Sequence, residues 1–292
     1  DMRVVRARRT GNTYPYEIVS MLEGRARAMD TKALHPDLTK GSFQEYDLGE
    51  SGRLVPIDRA YGLNSCGVVV GVISNVTRKF PKGMERVWIG SDPTLAMGAL
   101  AEPECRRIIG AIDLAEEKGL PVEWIPVSAG AKIAMDSGTE NLDWTALVLR
   151  RIVEFSQLGG QINLIVHGIN VGAQSYWNAE ATMLMHTRGV LIMTMSGSMV
   201  LTGKKALDFS GGVSAEDERG IGGAERIMGT NGQAQFIASD LGEAYSILFD
   251  WYQFSYCQPG EKGPRRFPTE DPHDRSVLEA PYNNGGSFTR VG

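Results

Sequence analysis

The sequence predicts a single α/β domain assembled from short strand and helix units. From about residue 86 onward, apolar strand-like runs alternate with glycine-containing loops and amphipathic helical patterns, which is the order expected of parallel strands joined by helices. The chain also holds 35 glycines among its 292 residues, without a collagen-like period. Glycine at this level indicates many positions where the backbone turns sharply or comes close to a ligand.

The first 60 residues are predicted to form an extension made of a short helix and a hairpin. Apolar residues share a helical face after Pro15, and the alternating run over residues 43–58 turns at residues 49–52. Ahead of the helix lie four arginines that we expect to form a solvated arm: Arg3, Arg6, Arg8 and Arg9.

The predicted core domain covers residues 61–257. Apolar runs bounded by glycine and proline predict buried strands at residues 66–73, 86–90, 121–127, 161–167 and 190–194. Beyond residue 257 the chain is rich in proline, glycine and charge, so residues 258–292 are predicted to be a C-terminal linker. We expect the chain to be one domain of a longer polypeptide.

Three long helices are predicted in this domain from apolar residues at helical spacing. The first covers residues 102–118, with Pro103 in its first turn and Gly119 at its end. The second covers residues 144–155. The third covers residues 240–252, with Asp240 as its cap and a glutamate three residues later that completes a capping box.

Composition and charge exclude several classes of protein. Thirty Lys and Arg against 35 Asp and Glu leave a formal net charge of −5, unlike the basic footprint of a nucleic-acid-binding domain. The longest apolar run is far too short to span a membrane, and no signal peptide is recognisable. Three cysteines without a CxxC pair cannot form a disulfide framework. We therefore expect a cytoplasmic protein with neither a nucleic acid nor a membrane as its partner.

Familiar side-chain chemistry is scarce in this sequence. It has no HExxH motif, no GxSxG elbow and no Walker loop, and no metal site is expected. The glycine run at residues 220–223 fails as a dinucleotide fingerprint, because Glu225 stands at the place of the last glycine and a polar loop precedes the run. His167 closes an apolar strand and is interpreted as a core or supporting histidine rather than a catalytic one.

Two loops of small residues follow two of the predicted strands. The first covers residues 128–133 and the second covers residues 168–174. Each lies where a strand ends and a helix can begin, so a ligand oxygen can approach free backbone N–H groups. Side by side, the two loops would make an oxyanion hole. The alternative is that glycine and alanine only permit tight packing of helix on strand, and the residues alone leave both open.

Several segments, in order, resemble the carboxyltransferase component of biotin-dependent acyl-CoA carboxylases of the acetyl-CoA and propionyl-CoA types. Residues 128–133 are similar to the family's Ser-Gly-Gly/Ala-Ala-Arg-Ile run, and residues 168–173 fall at the place of its Gly-Pro-Cys-Ala-Gly-Gly loop. The other similar segments are residues 9–16, 87–93, 211–212, 221–224 and 271–275. The resemblance implies the crotonase fold, a ββα superhelix like that of ClpP and enoyl-CoA hydratase. It identifies the chain with the N-terminal half of the carboxyltransferase.

The resemblance also implies a mechanism. In the family, carboxybiotin delivers CO2 to the α-carbon of an acyl-CoA and the biotin takes the α-proton, so the enzyme needs hydrogen-bond donors for the thioester enolate rather than a strong base. The resemblance assigns the catalytic amides to Ala129, Gly130, Val171 and Gly172. It assigns contacts with coenzyme A to Ser128, Ala131, Lys132, Gly222 and Gly223, and candidate phosphate contacts to Lys132, Arg188, Lys204 and Lys205.

The cofactor and the partners follow from the same resemblance. Biotin would arrive on a separate carrier domain as carboxybiotin, and acyl-CoA would be the substrate. The expected partners are a second carboxyltransferase half, towards which the C-terminal linker leads, a biotin carboxylase and a biotin carrier domain, within a homo-oligomer. Active sites in the family form between an N half and the C half of a partner subunit.

This sequence departs from the family at two places. Lys132 stands where the family usually has arginine, and a lysine is a poor substitute for a bidentate guanidinium. Residues 169–171 replace Pro-Cys-Ala, a change that keeps the backbone donors.

Two other functions remain open from the residues. One is a self-contained crotonase-type acyl-CoA decarboxylase or hydratase. That enzyme needs an acid or base near the second loop, and only Glu180 and His186 are available there. The other is a non-catalytic domain that binds coenzyme A or serves assembly.

Overall fold

A mixed β-sheet forms the centre of the molecule in the computed structural model. The structure describes residues 2–25, 40–135, 137–183, 187–211 and 215–266, together with Asp274 and Ser276. In chain order its strands are β1 (Gly41–Leu48), β2 (Leu54–Pro56), β3 (Val68–Asn75), β4 (Met84–Ser91), β5 (Val122–Ile125), β6 (Ile162–Val166), β7 (Ile169–Val171), β8 (Leu191–Thr194), β9 (Ser198–Val200) and β10 (Phe236–Ala238).

Eight of these strands make one sheet, in the order β10-β8-β6-β5-β4-β3-β1-β2. Strands β4, β5, β6, β8 and β10 run parallel, whereas β1 pairs antiparallel with β2 and with β3, and β3 pairs antiparallel with β4. The short strands β7 and β9 pair with each other in a separate parallel ladder. Because parallel strands end at the same edge, the loops after β5, β6 and β8 are brought together there.

The helices of the described residues are α1 (Met2–Arg9), α2 (Pro15–Leu22), α3 (Glu102–Lys118), α4 (Glu140–Gln157), α5 (Ala173–Ala181), α6 (Lys204–Phe209), α7 (Glu218–Gly222) and α8 (Leu241–Ser255). The four predicted helices are present as α2, α3, α4 and α8, and the structure adds α1, α5, α6 and α7. Helix α3 ends at Gly119, whose φ of 66° is left-handed and favours glycine. Helix α4 begins four residues before the predicted start.

Each face of the sheet carries its own apolar core. Because successive side chains of a strand point to opposite faces, neighbouring residues belong to different cores. In β4, Val87 and Ile89 pack beneath α3, whereas Trp88 points to the other face and packs with residues of α2 and α8. The hairpin of β1 and β2 extends the same sheet. The boundary of the extension at residue 60 stays a prediction.

The N-terminal arginines do not all form a solvated arm, as the sequence had led us to expect. They lie on α1, which buries Ala7. The Arg3 guanidinium donates to Asn64 Oδ1 at 2.9 Å and to the buried carboxylate of Asp92 at 3.4 Å. Its partners are distant in the chain, so local composition does not reveal them.

Among the described residues, no helix has the length and the apolar character that a membrane crossing requires.

Candidate functional site

The two small-residue turns meet at the carboxyl edge of the sheet. The first turn, residues 128–133, follows β5, and the second turn, residues 168–174, follows β6. A Cβ atom at position 130 would lie 3.4 Å from the Val171 carbonyl oxygen, and one at position 172 would lie 3.8 Å from the Gly130 Cα. Gly130 has a φ of 92° and Gly172 a φ of 60°. The two turns therefore lie side by side, and side chains at these glycines would fill the space between them.

Ser128 ties the two turns together. Its N–H donates to the Ile169 carbonyl, its own carbonyl accepts from the Val171 N–H, and its Oγ accepts from the Gly130 N–H, each at 3.0 Å. The residue is 0% exposed. The Ser128 side chain therefore joins the two turns, and the contact of this residue with coenzyme A stays a prediction.

The four predicted catalytic amides are all engaged within the protein. The Ala129 N–H donates to the Met97 carbonyl at 3.1 Å, and the Gly172 N–H donates to the Val200 carbonyl at 2.9 Å. The Gly130 and Val171 amides both donate to Ser128, as described above. The prediction that these four N–H groups are free donors is therefore wrong: they hold the turns to one another and to their neighbours.

Free amides lie one residue further along each turn. The Gly130 carbonyl and the Lys132 N–H both bond to Leu100, at 2.8 and 2.7 Å, so the intervening Ala131 N–H faces the other way. In the described part of the chain it has no acceptor, and neither do the N–H groups of Ala173 and Gln174 in the first turn of α5. Ala131 and Ala173 are half-buried.

Only the second turn leads directly into a helix. Helix α5 begins at Ala173, next to Gly172. The first turn continues past Lys132 without helical structure, and α4 begins only at Glu140. The predicted common layout of the two loops is therefore correct for one of them.

Gly222 and Gly223 pack closely against the backbone of β9. A Cβ atom at position 222 would lie 1.9 Å from the Met199 carbonyl oxygen, and Gly223 forms a bridge with Ser198. Both glycines are buried against β9, which in turn pairs with β7. Their contact with coenzyme A stays a prediction.

The candidate phosphate contacts separate into two groups. Lys132 is half-buried in the first turn, and its carbonyl accepts from the Asn141 carboxamide at 3.0 Å. Lys204 pairs with Asp208 on α6, and Lys205 is exposed beside it. Arg188 precedes β8 and packs near Gly159, which places it at the opposite edge of the sheet from the two turns.

His167 closes β6 immediately before the second turn. Its Nδ1 lies 2.9 Å from Thr194 Oγ1 and 3.2 Å from Ser196 Oγ. Burial lowers the pKa of the imidazole, and the nearby Asp240 opposes this only in part. A neutral histidine held by two hydroxyls fits the predicted supporting role. Glu180 lies half-buried on α5, and His186 lies outside the described residues.

Sequence reasoning missed three buried carboxamides behind the second turn. Asn170, Gln174 and Asn178 are each at most 1% exposed and are hydrogen-bonded in series. Their spacing of four residues, which places Gln174 and Asn178 on one face of α5, is the signal that the sequence offered.

Large apolar side chains are exposed around the two turns. Ile133 follows Lys132, Leu201 adjoins Gly172 and Tyr176 lies on the first turns of α5; they are 93%, 68% and 58% exposed. Met135, two residues beyond Ile133, and Leu142, next to the Asn141 that bonds to Lys132, are also exposed. Exposed apolar surface of this extent is typical of a binding interface.

The family described as "Carboxyl transferase domain" matches residues 38–284. The chain belongs to this family. The match covers both turns, and the family that the motifs of the sequence resemble is confirmed.

Relatives and solved structures agree with this assignment. Acetyl-CoA carboxylase 1 of Oryza sativa subsp. japonica is 23% identical over 352 residues, with 97% of this chain and 15% of the relative covered. Acetyl-CoA carboxylase 2 of Arabidopsis thaliana is 22% identical, with the same coverage. The chain thus spans about a seventh of the length of these relatives.

Two solved structures show the fold. The β subunit of geranyl-CoA carboxylase from P. aeruginosa superposes with a TM-score of 0.61 at 17% identity, covering 86% of this chain and 41% of the subunit. The transcarboxylase 12S structure, a hexamer with methylmalonyl-coenzyme A bound, gives a TM-score of 0.68 at 21% identity, covering 93% and 47%. The predicted crotonase-like α/β fold is confirmed.

Proposed function

We propose that this chain is the acyl-CoA-binding half of a biotin-dependent carboxyltransferase, which stabilises the enolate of the thioester while CO2 is transferred from carboxybiotin. The observation that carries the proposal is the contact between Gly130 and the second turn, at the carboxyl edge of the sheet, in a member of this family. Small residues leave room there for a ligand oxygen to approach backbone amides.

The proposed donors are the amides of Ala131 and Ala173, with Gln174 beside them. None of these three N–H groups has an acceptor in the described part of the chain. The Ala173 amide also lies at the N-terminus of α5, where the helix dipole favours negative charge. Removal of one such preorganised donor typically costs an enzyme about 2.7–4 kcal/mol of transition-state stabilisation.

The composition of the turns fits this chemistry. Neither turn contains a carboxylate or an imidazole, so these residues can orient a thioester and stabilise its oxygen but cannot remove the α-proton. Carboxybiotin would supply the CO2 group and, after its loss, a basic nitrogen. That division of labour favours carboxyl transfer over the hydratase alternative, which needs an acid or base on the protein.

The exposed apolar side chains around the turns fit a protein partner. We propose that a second carboxyltransferase half covers Ile133, Tyr176, Leu201 and their neighbours, so that the complete site forms between two units. A biotin carboxylase and a biotin carrier would act on the assembled enzyme.

Calorimetric titration with a panel of acyl-CoA thioesters tests the proposal. We expect binding to the wild-type chain and a loss of at least about tenfold in Gly130→Val, because the new side chain fills the space beside Val171. Gly232→Val is the matched control: Gly232 also has a positive φ, 81°, but a side chain there meets nothing within 4 Å. Absence of heat with every thioester, or unchanged affinity in Gly130→Val, contradicts the proposal.

A turnover assay separates the alternative. The chain alone should not decarboxylate malonyl-CoA, whereas the complete native enzyme should transfer carboxyl groups to an acyl-CoA. Robust decarboxylation by the chain alone would favour a self-contained decarboxylase.

A further inference from the structure

We propose that the three buried carboxamides behind the second turn form a positioning device for the reaction. The carboxamide chain is Asn170, Asn178 and Gln174, in hydrogen-bonding order. The proposal rests on the proposed function, because it concerns the placement of the Ala173 amide. It assigns a role to side chains that do not touch the substrate and that act through the second turn.

The carboxamide chain is continuous and buried. Asn170 Nδ2 donates to the Pro126 carbonyl at 3.0 Å, Asn178 Nδ2 donates to Asn170 Oδ1 at 2.8 Å, and Gln174 Nε2 donates to Asn178 Oδ1 at 2.9 Å. Asn170 and Asn178 are 0% exposed and Gln174 is 1% exposed.

The direction of the chain is set at one end. The Pro126 carbonyl can only accept, so Asn170 must present its NH2 group to it and its oxygen to Asn178. The same logic passes along the chain to Gln174, whose NH2 group must face Asn178. Gln174 Oε1 is then left buried without a donor among the described residues. Every carboxamide thus has one orientation that satisfies its neighbours.

The carboxamide chain links the elements that position the Ala173 amide. Pro126 follows β5, Asn170 lies in β7, and Gln174 and Asn178 lie on the inner face of α5. Ser175 Oγ adds a further bond to the Asn170 carbonyl, at 2.8 Å. Ala173 lies between Asn170 and Gln174, so its N–H is fixed from both sides.

Stability alone does not account for three polar side chains here. The buried Gln174 Oε1 has no donor among the described residues, and a buried polar atom without a partner costs free energy because its hydration is lost without replacement. Asn170 also stands where the resembling family has cysteine in its loop. A cost of this kind is expected where exact placement of a backbone donor matters for turnover.

Asn178→Asp tests the proposal because it replaces the NH2 group that donates to Asn170 Oδ1 with an oxygen. An ionised carboxylate cannot donate to Asn170 Oδ1, so two oxygens face each other, whereas the protonated acid restores the donor. Burial and the facing oxygen raise the pKa of such a carboxyl. On the native complex we expect kcat at pH 8 to fall at least about tenfold with KM for acyl-CoA within about twofold. As the pH is lowered, kcat should recover relative to wild type.

The controls separate placement from general destabilisation. Asn163→Asp changes an equally buried carboxamide in β6 that bonds to Tyr252 and to the Val190 N–H, away from the turns. Asn163→Asp should lower the free energy of unfolding. Its kcat relative to wild type should not recover as the pH is lowered. Among the described residues, the Asn178 side chain hydrogen-bonds to the carboxamides of Asn170 and Gln174, which do not titrate. Division by the wild-type pH profile removes the titration of His167 and of other groups.

A second readout does not depend on activity. Amide hydrogen exchange over residues 168–174 should be faster in Asn178→Asp than in wild type at pH 8, and the difference should shrink on acidification. If wild type transfers no carboxyl group, the proposed function fails, and this exchange comparison still decides the role of the carboxamide chain.

Two results overturn the positioning role. One is wild-type kcat and wild-type exchange in Asn178→Asp at pH 8. Should that variant not fold, Gln174→Met keeps the side-chain volume, cuts the last link and removes the unfilled acceptor. It should fold and show reduced kcat, and wild-type kcat in Gln174→Met is the other result that overturns the proposal.

Discussion

Single residues in this protein connect parts of the site that are distant in the chain. Ser128 uses its N–H, its carbonyl and its hydroxyl to hold the second turn and Gly130 in place. The sequence indicates that small residues are needed at these turns, but it does not reveal this linking role. A serine in a glycine- and alanine-rich run fits a ligand contact equally well.

Ser128→Ala should therefore destabilise the fold by about 1–3 kcal/mol, because the buried Gly130 N–H loses its acceptor. Ser137→Ala is the matched control, since Ser137 Oγ is buried without a hydrogen-bond partner in the described structure. Urea unfolding measures both. Equal midpoints for the two variants would show that the Ser128 hydroxyl contributes nothing.

Helices in this protein differ in how far local sequence defines their ends. Gly119 ends α3 as predicted, and the Asp240 side chain accepts from the Glu243 N–H at 2.9 Å as the cap of α8. Glu243 itself accepts from the Ser239 N–H at 2.7 Å, one residue before the position that a capping box requires. Helix α4 starts at Glu140 after Thr139, which makes no capping bond, so its start was not predictable from a cap.

Asp240→Ala should lower the free energy of unfolding by about 1 kcal/mol, the usual contribution of an N-cap side chain. Thr139→Ala removes the side chain at the equivalent position of α4, where no capping bond exists, and should cost much less. Thermal unfolding of the two variants in parallel checks this. A larger loss from Thr139→Ala would contradict the capping argument.

Across the whole molecule, a buried ion pair joins the sheet to α8. Arg86 Nε donates to Glu123 Oε2 at 2.9 Å, between neighbouring strands, and both side chains are 0% exposed. Tyr252 of α8 donates to the same carboxylate oxygen at 3.0 Å, and Arg86 also reaches Asn75 Oδ1. The pair thus joins three strands and a helix through charges that must remain matched.

Arg86→Met should destabilise the protein by about 3–5 kcal/mol, because it leaves Glu123 as an uncompensated buried charge. Combining it with Glu123→Leu should recover much of that loss, since an apolar pair needs no partner. Chemical denaturation of the single and double variants measures the difference. A double variant that is no more stable than the single one would contradict this account.

The sequence by itself determined β4, β5, β6 and β8, the presence of α3, α4 and α8, the two small-residue turns and the family. These depend on spacing, turn residues and ordered motifs, which are local properties of the chain. Tertiary structure alone decided which amides are free. The acceptors that engage Ala129 and Gly172 are carbonyls of Met97 and Val200, and the contacts that orient Ala131 come from Leu100. Such partners come from other segments of the chain, so no local pattern could assign them.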